Sequence, residues 1–152
     1  MVDVGAKPST ARRAVARARV RFPSGLLGDV LAGEGPKGAI EEGARTAGIL
    51  AAKRTGELIP MCHPLGLDHV SVDFETLEDE DDVLEIRCVA SCEGRTGVEM
   101  EAMTGAAVAA LTVYDMTKGL DKGIRLEAVE LLEKSGGRSG SWRADPGSQD
   151  PA

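Results

Sequence analysis

The chain has 152 residues with a formal net charge of −7, and aromatic residues make up only 3 percent of it. That length suits one domain with a core of its own, and an acidic whole excludes broad nucleic-acid binding, which needs a basic surface. No apolar run approaches bilayer length, and three cysteines with no signal-peptide pattern or short-chain disulfide framework fit a soluble protein of a reducing cytoplasm.

Residues 1–8, MVDVGAKP, read as an extended arm. Ala14, Ala16, Ala18, Val20 and Phe22 then alternate with Val15, Arg17, Arg19 and Arg21, which predicts a strand with one apolar and one arginine-rich face. The arginine-rich face reads as a charged surface that keeps a sheet soluble. Arg12, ahead of the alternation, has no such explanation. Residues 26–33 predict a short helix, and Pro36 to Arg54 a longer one striped by Ile40, Ala44, Ala47 and Ala51. Lys37 then falls in a first turn, where the helix dipole disfavours a cation unless an anion binds beside it. Lys53 and Arg54 close that helix, where cations are favoured.

In residues 55–68, Pro60 and Pro64 flank Met61, Cys62 and His63, so this segment predicts an irregular, stiff loop. His69 has no ligand spacing to His63, and Cys88 and Cys92 share one face of a strand, so no metal signature is present. Residues 69–77 and 83–89 predict strands joined by EDEDD, a solvated hairpin tip. A helix from Gly97 to Lys118 follows, with Thr96 and Glu99 spaced as a capping box and Gly105, Ala106, Ala107, Ala109 and Ala110 keeping its middle slim. Residues 123–133 predict a last strand. The run Lys134 to Gly140 is glycine-rich between cations and suits either a phosphate or a flexible linker. It lacks the strand-loop-helix setting of a nucleotide fingerprint.

The charges of the long helix are concentrated at its ends, Glu99 and Glu101 at one and Asp115, Lys118 and Lys122 beyond the other. Asp115 and Lys118 are neighbours on the helix surface, an arrangement suited to a paired acid and base. Glu101 and Asp115 are fourteen residues apart, or roughly 21 Å at helical rise. One small substrate reaches both ends only if a second copy lies alongside. The element order resembles the split βαβ arrangement, an α+β ferredoxin-like fold with helices on one face of a four-stranded antiparallel sheet. The uncovered sheet face should expose apolar surface and drive self-association. Residues 1–140 are expected to form the single domain, and 141–152 a polar tail.

The stretches AGILAAKRTGELIPMCHPLGL, GRTGVEMEAMTGAAVAALTVYDMTKGLDKG and LLEKSGGRSG closely resemble the molybdenum cofactor biosynthesis protein C family, the cyclic pyranopterin monophosphate synthases. The similarity runs from about Met1 to Gly140. It implies a ferredoxin-like fold, a hexamer built from dimers, and no organic cofactor. It also implies a lyase that rearranges 3′,8-cyclo-7,8-dihydroguanosine triphosphate to cyclic pyranopterin monophosphate with release of pyrophosphate. Carried over by residue, it makes Asp115 the acid or base, Lys118 its partner, and Lys37 a second proton-transfer or charge-stabilising group. Met61, Cys62, His63, Met100 and Glu101 would contact substrate. Arg12, Lys53, Glu99 and Lys134 fall on further polar positions of the pattern, suited to triphosphate and purine contacts. The competing readings are a non-catalytic ferredoxin-like module that binds a small anionic nucleotide, a metal-dependent phosphohydrolase, which the lack of clustered ligands disfavours, and an oligomeric scaffold.

Overall fold

Alternation in the arginine-rich segment builds the central strand of the sheet. The computed structural model describes residues 1–33 and 37–145. Its elements are β1 (Thr10–Arg21), α1 (Leu26–Leu31), α2 (Ile40–Lys53), α3 (Thr55–Leu58), β2 (His69–Leu77), β3 (Glu80–Gly94), α4 (Glu99–Thr117), β4 (Arg125–Ser135) and β5 (Trp142–Arg143). The strands form one sheet in the order β2-β3-β1-β4-β5, antiparallel throughout. Without β5 this is the βαββαβ order of a ferredoxin-like α+β fold. Among the described residues no helix is long and apolar enough to cross a membrane.

The period of two decides which residues meet the helices. Ala14, Ala16, Ala18 and Val20 are fully buried, and opposite them on β3 stand Ala90, Cys88, Ile86 and Leu84. On this small-residue surface lies α4, spanning β1, β3 and β4, with α2 beside it over β2. Two glycines let the layers approach. A Cβ on Gly48 would stand 2.9 Å from the Gly105 carbonyl, and one on Gly105 would stand 2.5 Å from the Cys88 sulfur. Alanine at Gly105 would drive α4 off the sheet.

Several expectations need correction. The capping box at Thr96 and Glu99 does not form: α4 begins at Glu99 with Val98 as its N-cap and no side-chain cap. Glu99 is the first helical residue, two positions early for the reciprocal bond. The second helix starts at Ile40 behind an extended Ala39, so Lys37 precedes it rather than sitting in its first turn, and Pro36 lies outside the described residues. The loop expected over residues 55–68 opens with the single turn of α3. The sheet has a fifth strand, because Trp142 and Arg143 pair with Lys134 and Glu133; residues 146–152 of the expected tail are outside the described residues.

The open face of the sheet also differs from expectation. It is dominated by ion pairs: Arg17 with Glu85 and Glu130, Arg87 with Glu85 and Glu75, Arg21 with Glu80 and Glu127, and Arg19 with Glu80. Glu80, expected in a solvated tip, is drawn into this ladder, and Arg21 and Arg19 hold its carboxyl below the ordinary range. On the helical layer, Leu111 is 55 percent and Met100 37 percent exposed on α4, and at the sheet edge Val129 and Trp142 are exposed as well.

Candidate active site

The C-terminal end of α4 gathers three charges. Asp115 Oδ1 lies 2.6 Å from Lys118 Nζ, one turn further on, and Asp115 Oδ2 lies 2.6 Å from Lys37 Nζ. Lys37 Nζ also donates to the Asp115 carbonyl at 3.1 Å. The early break before α2 makes this possible, because a lysine outside the helix is free to reach across to α4. All three side chains are about half exposed. Hydrogen bonds from Lys118 first, and then Lys37, hold the Asp115 carboxyl down to about 2, and Asp115 in turn raises the Lys118 ammonium above its ordinary value. The cluster is one fixed negative charge carrying two ammonium groups.

The N-terminal end has the opposite character. Glu101 is 3 percent exposed, and among the described residues no cation pairs with it. Burial raises its carboxyl above the ordinary value, and the charge of Glu99 raises it further. Glu101 lines a cleft of about 310 Å³ together with Met61, Cys62, His63, Glu99 and Met100. Six residues expected at the site therefore share one cavity. Burial, followed by the charge of Glu101, also raises the Cys62 thiol, so it is a poor thiolate. Val2, Val4 and Lys7 of the N-terminal arm, with Leu65, Thr96 and Gly97, complete the wall. The sequence reading missed these, and their signal is thin: an arm with no periodicity shows where it folds back only in three dimensions.

The remaining site residues stand around this end but outside the cleft. Lys53 lines a small cavity of about 70 Å³ that Glu101 also borders. Arg12 Nε donates to the Gly94 carbonyl at 3.3 Å. Lys134 Nζ donates to Ser139 Oγ. Arg12 stands opposite Cys92 across β1 and β3, and burial, then the charges of Asp68 and Glu101, raise the Cys92 thiol while Arg12 lowers it. The structure thus sorts the expected residues into two groups, Lys37, Asp115 and Lys118 at one end of α4 and the other nine around its start. Within one chain the ends are separated by the length of the helix.

A family model described as the MoaC family matches residues 1–137. The chain belongs to the MoaC family. Among relatives, a cyclic pyranopterin monophosphate synthase of Novosphingobium aromaticivorans is 54 percent identical over 144 residues, covering 95 percent of this chain and 90 percent of that protein. One of the same name from Thermomicrobium roseum is 54 percent identical over 145 residues, covering 95 percent of this chain and 87 percent of that protein. A third, from Geobacter metallireducens, is 52 percent identical over 145 residues, covering 95 and 90 percent.

Proposed function

We propose that this chain is a cyclic pyranopterin monophosphate synthase, a lyase of molybdenum cofactor biosynthesis that converts 3′,8-cyclo-7,8-dihydroguanosine triphosphate to cyclic pyranopterin monophosphate and pyrophosphate. The observation that carries the reading is the cluster of Lys37, Asp115 and Lys118 in a chain of this family. The transformation opens and recloses a ring, forms a cyclic phosphate and expels pyrophosphate. It therefore needs proton transfers and stabilisation of negative charge on phosphate, both of which positioned side chains supply.

The two ends of α4 divide these tasks. A carboxyl held near 2 is a poor proton acceptor at neutral pH, so Asp115 acts as the fixed anion that aims two ammonium groups. Lys118 and Lys37 donate protons or stabilise charge on the reacting phosphate. Glu101, pushed in the other direction by burial, is the carboxyl suited to carrying a proton between substrate atoms. Met61, Cys62, His63, Met100 and Glu99 form the wall around the purine-derived ring. Arg12, Lys53 and Lys134 supply positive charge for the phosphates. A single catalytic domain that includes β5 carries these residues, in a cytoplasmic setting compatible with three free cysteines.

Because fourteen residues of helix separate Glu101 from Asp115 by roughly 21 Å, a complete site forms when a second copy lies antiparallel beside the first. Each Glu101 end then faces a partner's Asp115 end. The stripe Met100, Met103, Ala107, Leu111 and Tyr114 supports this reading, because its spacing places these exposed or half-buried side chains on one face of α4. A hexamer would repeat that dimer three times. The test is incubation of the purified chain with the cyclic dihydroguanosine triphosphate. The expected result is pyrophosphate and pyranopterin product in equal amounts; tight binding without turnover would favour the non-catalytic nucleotide-binding module instead.

A further inference from the structure

Strand β1 carries five arginines, and the structure treats one of them differently. Arg13, Arg17, Arg19 and Arg21 are each paired with a glutamate from β3 or β4. Arg12 points to the helical side of the sheet, opposite Cys92, and among the described residues no carboxylate pairs with it. An unpaired guanidinium would normally sweep through many rotamers, losing on the order of 2 kcal/mol of rotamer entropy when fixed. Here the backbone restrains it. The Gly94 carbonyl takes Nε from one side. The turn after β4 closes on the other, where Gly136 and Gly137 adopt φ values of 95° and 72°.

Neither position has room for a side chain. A Cβ on Gly137 would overlap Arg12 Nη1 and stand 2.5 Å from Cζ, and one on Gly136 would overlap the Ala11 carbonyl oxygen and stand 3.3 Å from Arg12 Cδ. The turn is itself secured by Lys134 donating to Ser139, by Gly140 N–H donating to the Gly137 carbonyl at 3.2 Å, and by the pairing of Lys134 with Trp142. Only backbone without Cβ atoms, in a conformation that glycine adopts readily, lies this close against the guanidinium.

We propose that the Gly136–Gly137 turn is a positioning element that holds the guanidinium of Arg12, which no carboxylate among the described residues pairs with, in a fixed orientation for an oxyanion of the substrate's phosphate chain. The proposal rests on the reading above in which Arg12 contacts that chain. Arg12 acts on the ligand, and Gly137 acts through Arg12. Four arginines of β1 are neutralised and hold the sheet together; the fifth is left with its charge unspent and its geometry set. Pre-orientation of this kind lowers the entropy lost when the ligand binds.

The test compares KM and kcat of the full chain carrying Arg12→Ala, Gly137→Ala, and both, alongside inhibition by inorganic pyrophosphate. Loss of a charge-assisted hydrogen bond predicts that Arg12→Ala raises KM about 10- to 100-fold. Gly137→Ala should raise KM and weaken pyrophosphate inhibition in the same direction with kcat nearly unchanged. The double variant should be no worse than Arg12→Ala alone, because the turn then has nothing to hold. Full additivity in the double variant, or an unchanged KM in Gly137→Ala, overturns the positioning role while leaving Arg12 as a ligand. An unchanged KM in Arg12→Ala removes the reading beneath the proposal, and the proposal with it. Should Gly137→Ala fail to fold, a second measurement decides: low-millimolar guanidinium added to Arg12→Ala should restore KM by filling the slot beneath the turn, and absence of rescue there counts against the proposal.

Discussion

The two ends of α4 carry the same functional group in opposite circumstances. Asp115 is half exposed, sits between two ammonium groups, and is held near 2; Glu101 is almost fully buried, has no cation among the described residues, and is pushed upward. The contrast shows how one slender helix holds one carboxyl in its charged form and pushes another toward its neutral form without any difference in side-chain chemistry. Pairing partners make the first, and removal from water makes the second. In the proposed reaction each end is incomplete without the other.

The comparison is broken most severely by removing the fixed charge. Asp115→Asn releases both lysines, and Lys118→Ala removes one of the groups Asp115 holds. Each should lower turnover by about 100- to 10,000-fold, the range for losing a positioned acid-base group. Circular dichroism should show a folded protein in both cases, because the cluster is exposed. Near-normal turnover of either variant would take that residue out of the mechanism.

Glu101→Gln probes the other end and should cost turnover about 100-fold. It carries a stability signature that Asp115 variants lack. Since the folded Glu101 carboxyl is raised above its unfolded value, the wild type loses stability as pH climbs from the ordinary carboxylate range through that raised value. Glutamine has no charge to desolvate. The variant should therefore melt higher than wild type at neutral pH, with the gap closing as pH falls below the ordinary carboxylate range. A variant that melts lower at neutral pH would mean that Glu101 has a compensating cation in the assembled protein.

A smaller effect is expected from Leu111→Asp, which places a charge in the middle of the exposed stripe of α4. Sedimentation should show smaller species, with activity falling in proportion to the assemblies lost and recovering at high protein concentration. Intact assemblies with full activity would mean that this stripe is not where two copies meet.

Much of this arrangement is readable from residue periods, and the unread part has specific causes. The alternation from Ala14 to Phe22 fixes which face of β1 meets the helices, and the glycine and alanine content of α4 announces a close approach, realised where Gly105 meets Gly48 and Cys88. Asp115 and Lys118 are legible as a pair because helical spacing is local. Lys37 joins them across 78 positions, and no spacing rule encodes that contact. The capping box at Thr96 fails because the chain enters α4 two residues late, beyond the resolution of boundary signals. Arg17, Arg19 and Arg21 read as a solvated face because their glutamate partners come from other strands, and register is a tertiary property. The buried Glu85 follows from the same cause: it lies opposite Arg19 and bonds to Arg17 and Arg87.

The most direct measurement of the shared-site account mixes Asp115→Asn and Glu101→Gln chains, each inactive alone, under conditions that let subunits exchange. In a mixed pair, one cavity receives native Glu101 from the first chain and native Asp115 from the second, while the other cavity receives both substitutions. Random pairing makes half the dimers mixed with one intact cavity of two, so about a quarter of wild-type activity should return. Activity that stays at the level of the separate variants, with mixed pairs present in the sample, would contradict the account.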